Sequence, residues 1–282
     1  MSVYEATTII NVNTLVVLES LGDGELHTGT WLVDDLSAEL RRQEIAMGFG
    51  TVRDRREFFG TLEGIRRKSA DLGRRFILHI DAHGSHRDGL RLEPSGQFVA
   101  WSELADACRE VNAASLNNLV VVLASCHGFH AVLNVTIKAL TPFCTLIGPT
   151  DIVSAGLIQD TFSSFYRKLF DTNDFSAALA DLPPEFQVFH AERILVNAYL
   201  GYLRDQCRGK GRRERVDRLL SEIVDRGVPL DLSVARKELK ALTRPDAAAF
   251  EQFKRAFLMS DHSDNADRFP SSHDDLLASL DP

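Results

Sequence analysis

The sequence predicts an α/β fold in which helices cover both faces of a mostly parallel central sheet, followed by a helical region. Three observations carry this. Short apolar runs rich in Ile and Val, such as Phe76-Ile-Leu-His-Ile80 and Leu119-Val-Val-Val-Leu-Ala124, are closed by Gly or polar clusters, the mark of strands buried on both faces. Segments with apolar residues at helical spacing alternate with these runs, which favours a parallel sheet with right-handed crossovers. Pro183-Pro184 then interrupts both helix and sheet pairing, and only helical patterns follow.

Residues 1–11 read as a lead-in, and Asn13-Thr-Leu-Val-Val-Leu18 as the first central strand. The loop over 19–29, with Gly22, Gly24 and Gly29, leads to a helix over 30–42. It is either a plain strand-to-helix turn or a functional loop at the ligand-binding end of a parallel strand. Residues 45–49 form a second strand. Over 53–72, Phe58, Phe59, Leu62 and Ile65 stand at helical spacing, and the arginine-rich opposite face reads as solvated. The third strand, 76–80, delivers Asp81-Ala-His-Gly84. A helix over 101–111 takes Ser102 as its candidate N-cap, strand four runs into Cys126, and a helix is expected over 129–140. The fifth strand spans 142–147, with helices over 156–170 and 175–182. The predicted organisation is a catalytic-type domain over 1–182, a helical region over 183–259 with helices at 185–206, 213–225, 232–242 and 246–259, and a mobile tail over 260–282 rich in Asp, Ser and His.

The chemistry concentrates at the ends of two adjacent strands. In an open parallel sheet, ligands bind beyond the carboxyl ends of the strands, so His83 and Cys126, 43 residues apart, would face one crevice. A thiol is a poor nucleophile until an imidazole takes its proton, so a Cys and a His remote in sequence and near in space form the minimum catalytic pair. A helix beginning after Cys126 would favour its thiolate. Gly84 permits close backbone approach to a ligand. The cluster of His79, Asp81, His83, His86, Cys126, His127 and His130 also offers zinc-ligand chemistry, but it matches no zinc signature such as His-Glu-x-x-His, so no metal is expected. Asp81 is expected to orient the loop or His83, and His79 to be structural.

His-Gly after one apolar block, and Cys126 within Ala124-Ser-Cys-His-Gly128 after the next, resemble the caspase-like cysteine peptidases, in particular the bacterial CHAT-type branch. Asp88-Gly-Leu-Arg-Leu92 with Gly96-Gln-Phe-Val-Ala-Trp101 is similar to the hairpin that follows the family's His, and Phe162-Ser-Ser-Phe-Tyr166 is similar to a later helix. Over residues 10–182 the resemblance implies a caspase-like three-layer α/β/α sandwich, Cys126 as nucleophile and His83 as base. It also implies oxyanion donors at the N–H groups of Gly84 and Cys126. Gly148-Pro-Thr-Asp151 falls where the family builds its S1 pocket, so Asp151 would pair with a basic P1 side chain; a turn or helix-start role for it is the alternative. The implied function is endopeptidase cleavage of a specific protein partner in bacterial antiviral defence or regulated cell death, with a pore-forming protein encoded nearby as one such partner. Eukaryotic caspases carry Gln-Ala-Cys-x-Gly, which this chain lacks, so their P1 Asp specificity does not transfer.

Composition sets the outer bounds. With 282 residues, 44% hydrophobic and 26% charged, the chain can bury a substantial core. A net charge of −8 gives no general attraction to nucleic acid or anionic membrane, and neither is an expected partner. Cys108, Cys144 and Cys207 read as bystanders, and the scattered cysteines favour free thiols in a reducing, cytoplasmic setting. The absence of Gly-x-Ser-x-Gly, of a P-loop and of Gly-x-Gly-x-x-Gly argues against serine hydrolases of the α/β type and nucleotide-binding classes, and no cofactor is expected. The alternatives are a catalytically silent caspase-like scaffold and a metal-dependent hydrolase. The run over 208–215, with four Arg and one Lys, reads as a flexible linker and a site for self-cleavage if P1 is basic.

Overall fold

A computed structural model describes residues 9–227, 231–265 and 267–280; of the expected lead-in, residues 1–8 lie outside that set. A mostly parallel sheet is flanked by helices on both faces. Its main strands are β1 (Thr14–Ser20), β2 (Ala46–Thr51), β3 (Phe76–Ser85), β6 (Val120–Ala124), β7 (Thr145–Pro149) and β8 (Phe186–His190). They lie in the order β2-β1-β3-β6-β7-β8, all parallel except β8, which runs antiparallel to β7. The hairpin β4 (Gly89–Leu92) and β5 (Gln97–Val99) extends from the end of β3, where the family resemblance implies one.

Strand alternation divides the core in two. Leu15, Val17, Ile77, Val120 and Val122 face α1 (Thr28–Arg42) and α4 (Ala155–Thr172), beside which the short α5 (Phe175–Ala180) packs. Leu18, Leu78, Ile80, Val121 and Leu123 face the opposite layer, built from α2 (Arg55–Leu72), α3 (Trp101–Ala114), α6 (Ala191–Gln206) and α9 (Ala247–Leu258). Because both faces are covered, these strands read as continuous apolar runs. The helix boundaries have local causes. Asp54 accepts from the Glu57 N–H at the start of α2, which ends at Gly73 in the left-handed conformation, and Ser154 accepts from the Leu157 N–H to open α4. Ser102 is not the cap of α3; that position is Ala100, whose N–H bonds the Glu103 carboxylate. The fifth parallel strand sits later than expected, at Thr145–Pro149.

The C-terminal third departs from the sequence reading in three ways. Residues 186–190 form β8, an added strand hydrogen-bonded along β7, so Pro183-Pro184 does not separate the sheet from an all-helical region. Phe186 and Phe189 point to opposite cores, the period-2 signal hidden in this short segment. The run over 208–215 is the start of α7 (Gly209–Asp225), not a flexible linker. α7 pairs with α8 (Leu232–Leu242) through Val216, Leu220 and Leu239, a small core of its own. Finally, most of the expected mobile tail is packed: Phe269 and Leu276 are buried in the larger core, and α10 spans His273–Ala278. Arg268 donates to the backbone carbonyls of Ile9, Leu116 and Asn117, tying the tail to the β6 side of the sheet.

If the tail completes the core, Phe269→Ala should destabilise the protein by about 3–5 kcal/mol, as expected for a fully buried Phe. A urea midpoint unchanged from wild type would show that the tail contributes no core.

Candidate functional site

The site is assembled at the carboxyl ends of β1, β3 and β6. β3 pairs with β6 in parallel up to Asp81↔Ala124. The ladder ends there; His83 lies two residues further along β3, on the face of His79 and Asp81, and Cys126 two residues further along the chain from β6, in a turn. The separation of 43 residues is therefore the strand offset itself. His83 lies within β3 because, beyond β6, that strand continues antiparallel to β4, with His83 opposite Arg91.

Backbone contact closes the crevice. A Cβ on Gly84 would lie 1.8 Å from the Cys126 carbonyl oxygen and 2.5 Å from Ser125 Oγ, so only glycine allows β3 to approach the Cys126 turn. Gly128 permits a similar approach after the turn, where a Cβ would meet Leu123 Cβ at 2.6 Å. Between them His127 adopts a left-handed φ of 57°, a region uncommon for residues other than Gly, though His enters it more readily than most. It is held there by its N–H, which donates to the Asp151 carbonyl at 3.2 Å, and by its ring Nδ1, 3.3 Å from the Thr150 carbonyl. Cys126 is half-buried, with Sγ 3.6 Å from the Val153 carbonyl, the position of a resting thiol donor. No long helix follows it: residues 128–132 make one short 3₁₀ turn, so the dipole expected to favour the thiolate is absent. The run that follows, Asn134-Val-Thr-Ile137, consists of weak helix formers, which disfavours extending the turn into a helix.

His83 is 47% exposed at its side chain, and Nε2 lies 2.8 Å from Glu25 Oε1. A carboxylate accepts here, so Nε2 carries a proton, and in the neutral tautomer Nδ1 is the nitrogen left to accept one. Glu25 is held below the usual carboxylate range first by the Gly22 N–H and then by His83. The sequence does not reveal this partner; only the glycines of the 19–29 loop hint that the segment carries function.

Beneath that loop lie two buried carboxylates. Glu19 accepts from the Thr30 N–H at 2.9 Å and sits 2.7 Å from His27 Nδ1; Asp81 accepts from Thr28 Oγ1 at 2.5 Å. They are paired in register across β1 and β3. Burial raises the Asp81 pKa to about 6, the Thr28 hydroxyl partly opposing the shift and the charge of Glu19 adding to it. Asp81 thus fastens the start of α1 rather than His83, the first of the two roles expected of it.

The expected histidine-rich cluster separates into distinct environments. His79 is buried against Tyr166 and Phe162, and burial lowers its pKa to about 3, so it is a neutral core residue. His86, His127 and His130 group with ring centroids 4.5 to 5.4 Å apart. Among the described residues, no group of three or more His, Cys, Asp or Glu is arranged to hold a metal ion. Asp151 is 85% exposed, with Oδ1 accepting from the Ile152 N–H and 4.0 Å from His127 Nδ1. The structure therefore places it beside the Cys126 turn with a carboxylate open to a ligand. Cys108 and Cys144 are buried thiols, raised by desolvation to about 12 and about 11. Cys207 is buried as well.

Among the described residues, no helix is long and apolar enough to cross a membrane. In comparisons with known proteins, no family model matches the chain and no curated protein is significantly similar to it.

The pKa of Asp81 has a stability consequence. The folded state keeps this proton up to about pH 6, whereas an unfolded Asp loses it near about 4, so this group's contribution is greatest at low pH and declines as pH rises through that window. Two units correspond to about 3 kcal/mol. Asp81→Asn retains an acceptor for Thr28 and should gain stability relative to wild type between pH 4 and 7, measured by urea unfolding at each pH. A constant difference across that range would show that Asp81 titrates normally.

Proposed function

We propose that the protein is a cysteine endopeptidase of caspase-like, CHAT-type character acting on a protein partner. The observation that carries the reading is the placement of three groups at one end of the sheet: Cys126 in the turn after β6, His83 on β3 next to the Gly84 that abuts that turn, and Glu25, bonded to His83, in the loop after β1. Each has a distinct task. His83 Nδ1 takes the Cys126 thiol proton as sulfur attacks the scissile carbonyl, then returns it to the leaving amine. Glu25 keeps the ring in the tautomer with Nδ1 free and stabilises the imidazolium formed on proton transfer. The N–H groups of Gly84 and Cys126 are the oxyanion donors, a type of contact worth about 3 kcal/mol apiece. Water then releases the acyl group from sulfur by the same proton path.

The substrate follows from the surroundings. Asp151 projects from the turn beside Cys126 with its carboxylate exposed, which favours a basic P1 side chain. The exposure of His83 fits a site that admits an extended segment of another protein. The resemblance to the CHAT branch points to a single regulated cleavage, with a pore-forming protein as one candidate substrate.

A P1 peptide library tests the proposal with and without chelator. Cleavage should survive chelator and be abolished in Cys126→Ala. Glu25→Gln should lower kcat/KM by about 10²-fold with the fold intact, the range of a positioned acid–base contribution. Asp151→Asn should weaken any preference for Arg or Lys over neutral P1 residues. Activity retained in Cys126→Ala, or lost on chelation, would overturn the assignment.

A further inference from the structure

Away from the strand ends, α7 and α8 stand as a helical pair with their own small core, attached to the body through α6. At their base is a cavity of about 580 Å³ lined by Arg208, Arg212, Arg213, Asp217, Arg236 and Lys240, with Val216 and Cys207 as its apolar wall. The lining thus holds five cationic side chains and, among the described residues, one carboxylate. In a chain carrying 32 Lys and Arg against 40 Asp and Glu, this is a local reversal of sign.

The cations differ in how they are held. Arg212 donates to the Lys240 carbonyl and to Thr243 Oγ1, which joins α7 to α8, while Arg208 donates to the carbonyls of Leu277 and Leu280 at the C-terminal end. These two line the base of the cavity and have fixed positions. Arg236 is paired with Asp217 at 2.7 Å. Arg213 and Lys240 are exposed and have no carboxylate partner among the described residues. Like charges gathered this closely repel, and a multiply charged anion relieves the repulsion while taking charge-assisted hydrogen bonds from the guanidinium groups.

We infer that this cavity binds a phosphorylated small molecule of nucleotide size, with its phosphates on Arg213, Arg236 and Lys240 and its less polar part against Val216. The volume lies in the range of small-ligand pockets. A pocket of this size between two helices, on a chain of net charge −8, suits a compact anion better than a long nucleic acid that would run onto acidic surface. The site is independent of the peptidase reading, since none of its residues belongs to the strand-end site.

The test is calorimetric titration of the full chain with pyrophosphate, ATP and adenosine at about 0.15 M salt, with a single-stranded oligonucleotide as a fourth arm. Saturable binding of ATP or pyrophosphate is expected, none of adenosine, and at least about tenfold weaker binding in the double variant Arg213→Glu with Lys240→Glu. These two side chains are exposed and serve no packing role, and an unchanged thermal midpoint of the unliganded variant verifies the fold. Should that midpoint fall, Lys240→Gln alone serves as the variant and should weaken binding in the same direction. Absence of saturable phosphate binding, equal affinity in a folded variant, or binding of the oligonucleotide in preference to ATP would each overturn the inference.

Discussion

The parallel pairing of β3 with β6 is the constraint from which the rest of the site follows. Its register aligns Asp81 with Ala124. His83 and Cys126 each lie two residues beyond that pair, where β3 leaves β6 to pair with β4. Side-chain alternation puts His83 on the face of His79 and Asp81. The missing Cβ of Gly84 supplies the closeness, since the backbone of β3 touches the Cys126 carbonyl there. A slip of one residue in this pair would send His83 to the other face of the sheet and put a side chain where glycine is required. The two central apolar strands, which look like simple core, therefore also serve as the positioning device.

Electrostatics refine what topology has placed. Three carboxylates come from or beneath the loop after β1, and their environments separate their roles. Glu19 and Asp81 are buried and satisfied by Thr28, Thr30 and His27, which fastens the first turn of α1 against the strand ends. Glu25 is more exposed, is pinned by the Gly22 N–H at 2.6 Å, and reaches His83. The buried pair keeps the loop in place so that the exposed carboxylate arrives at the imidazole. In this arrangement the burial that raises the Asp81 pKa is the cost of a rigid loop base, tolerated because the Thr28 hydroxyl offsets part of it.

Much of this is legible in the sequence where periodicity and turn chemistry are strong. The parallel strands and the strand-end positions of His83 and Cys126 follow from apolar runs punctuated by Gly, whereas the hairpin after His83 is read only through the family resemblance. Glu25 is not legible, because its partner lies 58 residues away and a carboxylate in a glycine-rich loop looks like any solvated turn residue. β8 is hidden because five residues next to two prolines flow directly into α6, so a helical period swamps a two-fold one. The tail misleads for a compositional reason: its Asp, Ser and His residues suggest disorder, while only Phe269 and Leu276 reveal the packing. The helix expected after Cys126 is reduced to one 3₁₀ turn, and the Asn134-Val-Thr-Ile137 run behind it, weak in helix propensity, is the signal that apolar spacing outweighed.

The packed C-terminal region bears on self-cleavage, which the peptidase proposal would allow. Arg208-Gly-Lys-Gly-Arg-Arg is an attractive sequence for a peptidase with a basic P1 preference, but peptidases bind extended chain, and here the run opens α7. Gly211 meets the Asp205 backbone so closely that a Cβ would lie 1.9 Å from its carbonyl oxygen, and Arg212 and Arg208 are tied to α8 and to the C-terminal end. Cleavage there requires local unfolding of these contacts, so its rate would follow the population of the opened state. Nor would it release an independent domain: α6, α9 and α10 complete the core that β6 and α3 begin, and Arg268 holds the carbonyls just ahead of β6. A nicked chain would stay assembled around the same sheet. Control by cutting this run would therefore have to act through the α7 and α8 pair, which has a small core of its own and carries the basic cavity.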